Sequence, residues 1–329
     1  MMTRTFIGRS LQALASLALG TSLWLATPAA FAADSYPSRP IQLVHGFGAG
    51  GNADVVARLI AQKLGESLGQ PVVVDIKSGA GGAIASANVA HAKPDGYTLI
   101  MLTGAHTVSG ALRHNLPYDS LNDFAFISTV SSFPFVVAVK ADHPAKNLAD
   151  LIALSKNKSV SFSSVGVGST QHMVGELLAA ESGGEFLHIP FRGGGAPALA
   201  VLAGDVDMLS DTLTVAAPHL QSGGLRALAV TSAETWPLAA DIPPAAQTLP
   251  GFEVRSWLGL AAPKGTPDAI VQEINQKLHT ILAQEDTQKA LAQVGSMAAP
   301  STPAAMQAQI NSEIARWKTV AEQRHIKVE

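Results

Sequence analysis

The spacing of apolar positions changes abruptly near the start of the mature chain. Ile41, Leu43 and Val44 form a short apolar run. After a stretch of glycines, apolar residues fall four apart at Val55 and Leu59, and at Val56, Ile60, Leu64 and Leu68. The first pattern predicts a buried strand and the second an amphipathic helix. Asn52 or Asp54 is suited to cap that helix, and Gly69 followed by Pro71 ends it. A strand, a glycine loop and a helix start present backbone N–H groups at the positive end of a helix dipole. That arrangement suits an anion, phosphate or carboxylate.

The alternation repeats. Strands are predicted at 71–75 and 97–102, with a second glycine loop at 77–82 and a small-residue helix at 83–92 between them. Residues 124–139 read as extended. The α/β pattern then starts afresh: helices at 148–154, 173–180 and 196–202, and one running toward Leu220. Strands fall at 160–165, 186–189, 206–210 and 226–231, a second extended stretch covers 252–262, and helices cover 267–282 and 304–323. Such alternation predicts an α/β fold with mostly parallel sheets. Ligands bind at the carboxyl ends of such strands, so Thr103 and His106, which follow one, are cleft candidates. Two α/β units joined by two extended segments predict a hinged pair of domains: 33–134, 135–255 and a C-terminal return at 256–329 to the first.

The first residues stand outside this pattern. Arg4 and Arg9 precede an uncharged apolar stretch from Leu11 to Ala26, and Ala30-Phe31-Ala32 matches a signal-peptidase site. Residues 1–32 therefore read as a signal peptide of the general secretory route, cut near Ala32, and the mature protein as periplasmic. Roughly 297 residues remain after cleavage, enough for two modest domains. They carry 20 Lys and Arg against 25 acids, with no basic run, which argues against a nucleic-acid partner. There is no Cys, so no disulfide framework is available. The ten His show no metal-ligand spacing, and neither a metal nor a cofactor is expected.

Several segments in order resemble the Bug-type (TctC-like) solute receptors of tripartite tricarboxylate transporters. They include Tyr36-Pro-Ser-Arg-Pro-Ile-Gln-Leu-Val44, Gly48-Ala-Gly-Gly-Asn-Ala-Asp54, Gly79-Ala-Gly-Gly82, Pro94-Asp-Gly-Tyr-Thr-Leu99 and Leu116-Pro-Tyr-Asp119. Gly168-Ser-Thr-Gln-His172, His188-Ile-Pro-Phe-Arg-Gly193, Gly204-Asp-Val-Asp207, Leu225-Arg-Ala-Leu-Ala-Val-Thr-Ser232 and Ala262-Pro-Lys-Gly-Thr-Pro267 continue the set over the mature chain. The resemblance implies a two-domain periplasmic binding protein of the type II-like, Venus-flytrap kind, with two crossing strands. It implies a monomer that binds a small organic carboxylate (dicarboxylate, tricarboxylate, amino acid or aromatic acid) and delivers it to membrane transporter subunits, with no catalytic residues.

Carried over to this chain, the ligand lies between two loops. The first is Phe47, Gly48, Ala49, Gly50, Gly51 and Asn52, followed by Asp54; the second contains Gly168, Ser169, Thr170, Gln171 and His172. Thr103, His106, Arg192 and Asp211 are candidates for a second polar ligand group, and an Asp211 in the cleft would point to a cation-bearing ligand. A bulky residue at Gly50 is expected to block the backbone's approach to the ligand. The chain departs from the family where members usually have Val-Pro-Phe: here Val44-His45-Gly46-Phe47 puts Gly at the Pro position, and Gly48 replaces a ring. Phe191 stands where a Tyr is common.

Two other readings compete. Gly46-x-Gly48-x-x-Gly51 matches a dinucleotide fingerprint, with Asp75 placed to bind a ribose, so an NAD-binding oxidoreductase is the rival from another class. Within binding proteins, the rival is an orphan receptor acting in sensing. Ser169 and His172 suggest a hydrolase only weakly, because no orienting acid accompanies them.

Overall fold

In the computed structural model, residues 36–326 are described; the signal peptide read at 1–32 lies outside them. The first part of the chain runs β1 (Ile41–His45), α1 (Asn52–Leu68), β2 (Val72–Ile76), α2 (Ala83–Ala90), β3 (Thr98–Thr103), α3 (Ala105–Leu112) and β4 (Phe124–Lys140). The middle part is α4 (Leu148–Ser155), β5 (Val160–Ser164), α5 (Thr170–Ser182), β6 (Phe186–Pro190), α6 (Ala196–Ala203), β7 (Met208–Thr212), α7 (Leu213–Gln221) and β8 (Leu225–Val230). The last part is β9 (Arg255–Pro263), α8 (Asp268–Ala283), α9 (Glu285–Gln293), β10 (Met297–Ala298) and α10 (Pro303–Arg324).

The strands follow the order β2-β1-β3-β9-β4-β7-β5-β6, and β8 and β10 also pair with β4. β1 pairs in parallel with β2 and β3, and β5 in parallel with β6 and β7. Every antiparallel pairing involves β4 or β9. β4 is the long member that links two lobes. Phe124 to Pro134 pair with β9, whereas Phe135 to Val139 pair with β7. The chain returns beside it, where Thr231 N–H donates to the Phe135 carbonyl and Val254 N–H to the Thr231 carbonyl.

Period-2 alternation explains how β4 serves two cores at once. Phe135, Val137 and Val139 enter one apolar cluster, and Val136 and Ala138 enter another with Leu209 and Val230. In α1 the four-residue spacing buries Val56, Ile60 and Leu64, and Gly69 closes the helix with φ 70°. Three elements were not predicted: α3, α9 and the two-residue β10. α3 matters most, because it starts directly after β3 and turns the side chains of 105–109 into the core.

Candidate functional site

The two glycine loops of the first lobe rest on glycine loops of the second. Gly48 N–H donates to the Arg192 carbonyl at 3.1 Å, and Gly48 bridges Gly193 in parallel. A Cβ on Gly48 would lie 3.0 Å from the Gly193 carbonyl carbon and oxygen. One on Gly194 would lie 2.5 Å from the Ala49 carbonyl oxygen, and one on Gly81 2.6 Å from the Val167 carbonyl oxygen. Backbone meets backbone here because no side chain intervenes.

These loops border a narrow cavity of about 40 Å³ between the lobes. The first lobe contributes Phe47, Gly51, Asn52, Ala53 and Thr103, and the second Val165, Gln171, Gly194, Asp211 and Thr212. Phe133 and Phe135 from β4, with Ser256 and Leu258 from β9, form its back wall. The N-cap of α1 is Gly51, which supplies no side-chain cap, so the first N–H groups of a 17-residue helix open onto the cavity. Neither Asn52 nor Asp54 takes the cap position. Asn52 instead ties α1 to the second lobe, its Oδ1 lying 2.9 Å from Thr214 Oγ1.

Asp54 reaches back under its own loop. Its carboxylate accepts from Gly50 N–H at 2.9 Å and lies 3.2 Å from His45 Nε2 and 2.9 Å from Arg58 Nη2. Burial alone would raise the Asp54 carboxyl, but Arg58, the Gly50 N–H and His45 outweigh it and hold it below the usual carboxylate range. His45 is fully buried, and burial pushes its imidazole below the ordinary value against the pull of Asp54. Phe47 N–H donates to His45 Nδ1 at 3.4 Å, so one imidazole braces both ends of the loop.

In the second loop, Ser169 caps α5 by accepting from His172 N–H. The His172 ring accepts from Gly168 N–H, faces Glu176, and stacks on His188 with centroids 3.9 Å apart. It braces the loop and does not meet the Ser169 hydroxyl. Thr170 is buried against Gly104, near α3. Of the candidates read from sequence, Phe47, Gly51, Asn52, Thr103, Gln171 and Asp211 line the cavity. Gly48, Ala49, Gly50, Asp54, Gly168, Ser169, Thr170 and His172 build the loops behind it.

Two candidates sit elsewhere, contrary to expectation. His106 points away from the cavity because α3 begins at Ala105; its Nε2 meets the Ser120 carbonyl at 2.8 Å and its ring stacks on Tyr118. Burial lowers its imidazole to about 4. Arg192 is exposed and contributes its carbonyl rather than its guanidinium. The expectation for Gly50 also changes: a Cβ there meets open space, and its φ of 77° is the constraint. The close approaches are at Gly48, Gly81 and Gly194. Phe133, Phe135, Ser256 and Leu258 were missed as lining residues although both extended segments were recognised. Pairs two apart on a strand share a face, and that signal would have found them.

Asp211 is 2 % exposed, and burial raises its carboxyl to about 6, against the Thr212 N–H and Gln171, which lower it. An acid raised on folding binds more protons folded than unfolded, so its stabilising contribution is present at low pH and lost as pH rises through 6. Asp211→Asn should therefore stabilise the ligand-free protein at pH 7.5, by up to about 3 kcal/mol, with the gain vanishing near pH 4. Urea unfolding at both pH values checks this; an equal effect at both would refute it.

Two α/β lobes, joined by crossing strands and closed by glycine loops over a polar-ended cavity, define a two-domain periplasmic binding protein fold. Residues 56–326 match the family model of the tripartite tricarboxylate transporter family receptor, and the chain belongs to that family. It is 37% identical over 289 residues to a UPF0065 protein from the tcbD-tcbE intergenic region of Pseudomonas sp., covering 87% of this chain and 86% of the relative. Among solved structures it is similar to Rpa4515 of R. palustris with adipate, at 33% identity and TM-score 0.86, covering 89% of this chain and 99% of the other. It is also similar to MatC from Rhodopseudomonas palustris with bound malate, at 32% identity and TM-score 0.80, covering 87% and 99%. No helix among the described residues is long and apolar enough to cross a membrane.

Proposed function

We propose that this receptor binds a small organic carboxylate in the cavity between its lobes and delivers it to transporter subunits in the membrane. The observation that carries the reading is the uncapped start of α1 lining the cavity between the lobes. A helix N-terminus with free N–H groups attracts an anion without a buried cation, and neutral donors allow release. The two structurally similar receptors named above were solved with adipate and malate, both carboxylates. The site residues are those lining the cavity and the loops that shape it. The lobes divide near 134/135 and 255/256, where β4 changes partners and β9 begins. Export through cleavage near Ala32, action as a monomer and the absence of catalysis complete the reading. The Ser169 hydroxyl, engaged by His172 N–H as the cap of α5, supports the last.

The dinucleotide alternative fits the geometry poorly. The loop at Gly48 is pressed against Gly193 and Gly194 where a pyrophosphate would need space, and the Asp54 carboxylate already takes the Gly50 N–H. Asp75 is engaged by Lys77 and Gln42. A thermal-shift screen of the mature protein against carboxylates and NAD tests both. A ligand at a hundredfold excess over its Kd should add about 2.7 kcal/mol of stability. Stabilisation by a carboxylate is expected; stabilisation by NAD alone would overturn the proposal.

A further inference from the structure

Asp211 is the one ionisable side chain among the residues lining the cavity, and no Lys, Arg or His lines it. Its Oδ1 accepts from Thr212 N–H at 2.8 Å and faces Gln171 Nε2 at 3.4 Å. Its Oδ2 is buried without any partner. A buried acceptor left unpaired is costly, and a buried charge without a counter-charge more so. Among the described residues no donor reaches it, and an ammonium donor carried by a ligand would satisfy it. On the first lobe, Gly51, Asn52 and Ala53 at the uncapped start of α1 present the opposite polarity to the same cavity. Phe133, Phe135 and Leu258 supply an apolar surface at the back.

We propose that the ligand is a zwitterion: an amino acid whose carboxylate meets the start of α1 and whose ammonium group donates to Asp211 Oδ2. The inference rests on the receptor reading above and narrows its ligand class. A plain dicarboxylate would bring its second negative charge into a cavity whose only ionisable group is an acid. An ammonium group supplies both the missing hydrogen bond and the missing charge.

Matched pairs that differ only in the amine test this: L-leucine and isocaproate, L-phenylalanine and hydrocinnamate, L-glutamate and glutarate. Each is titrated calorimetrically at pH 7.5 into mature protein stripped of ligand by unfolding and refolding. At least one amino acid should bind about tenfold or more tighter than its amine-free partner, and Asp211→Asn should abolish that preference. The wild-type comparison stands even where the variant folds poorly. Amine-free acids binding as tightly as their partners, or tighter, would overturn the zwitterion and leave the carboxylate receptor intact. Failure of every member of both sets would overturn the carboxylate reading together with this one.

Discussion

Replacing Gly48 with valine should weaken ligand binding by about a hundredfold and leave the melting temperature of the ligand-free protein nearly unchanged. Gly48 does not need a positive φ, so valine brings no backbone strain of its own. The obstacle lies across the cavity, where even the first added carbon would sit 3.0 Å from the Gly193 carbonyl. That neighbour is backbone and cannot rotate aside, and the two branches of valine deepen the overlap. Overpacking of this kind costs about 1–3 kcal/mol, and here the cost falls on the state in which the lobes meet. Separation of the lobes would carry residue 48 away from Gly193 and remove that cost. Calorimetric titration with a carboxylate that binds wild type gives the affinity, and small-angle scattering reports whether ligand still compacts the molecule. Wild-type affinity in Gly48→Val would show that lobe contact at this loop is not coupled to binding. Gly50→Val is the control: its φ of 77° strains a branched residue, yet nothing opposes its Cβ, so its effect should fall on stability.

The difference between those two glycines shows where sequence reasoning stops. Both stand in one glycine loop after one strand, and the chain gives no local sign of which faces the other lobe. That distinction arises from residues about 145 positions apart meeting in space, at Gly48 and Gly193. Local elements were legible because their signals are local: the spacing of Val56, Ile60 and Leu64 and the stop at Gly69 suffice for α1. His106 was misplaced for a related reason. It follows a strand end, but α3 begins one residue earlier and rotates the ring onto Tyr118. The helix has only eight residues and starts after Gly104 with no side-chain cap, so no start signal marks it. Asp211 was found by position at the end of a strand, while its unpaired oxygen depends on what surrounds it in three dimensions.

Asp54→Ala should cost about 3 kcal/mol of stability at pH 7, the range for removing a buried carboxylate that accepts two hydrogen bonds from buried donors. The Arg58 contact contributes little to that sum, because its guanidinium is 58% exposed. The larger loss is internal: fully buried His45 loses the partner of its Nε2, and Gly50 N–H loses its acceptor. The pH dependence separates these parts. His45 is lowered on folding, so its stabilising contribution is complete above about 6.5 and lost as pH falls below it. Wild type and variant lose stability alike at first. Wild type stops losing through this group once its folded imidazole protonates, whereas without Asp54 the imidazole is lowered further and the loss continues. The Asp54 carboxyl, lowered on folding, contributes above about 3.9 and loses that contribution as pH falls through its folded value. The gap between the two proteins should therefore widen on acidification and narrow again only at the lowest pH. Urea unfolding across this range measures it, and His45→Gln completes a double-mutant cycle. If Asp54→Ala costs as much in the glutamine background as in wild type, the carboxylate acts through Gly50 and Arg58, and the His45 imidazole is not what holds the first loop in shape.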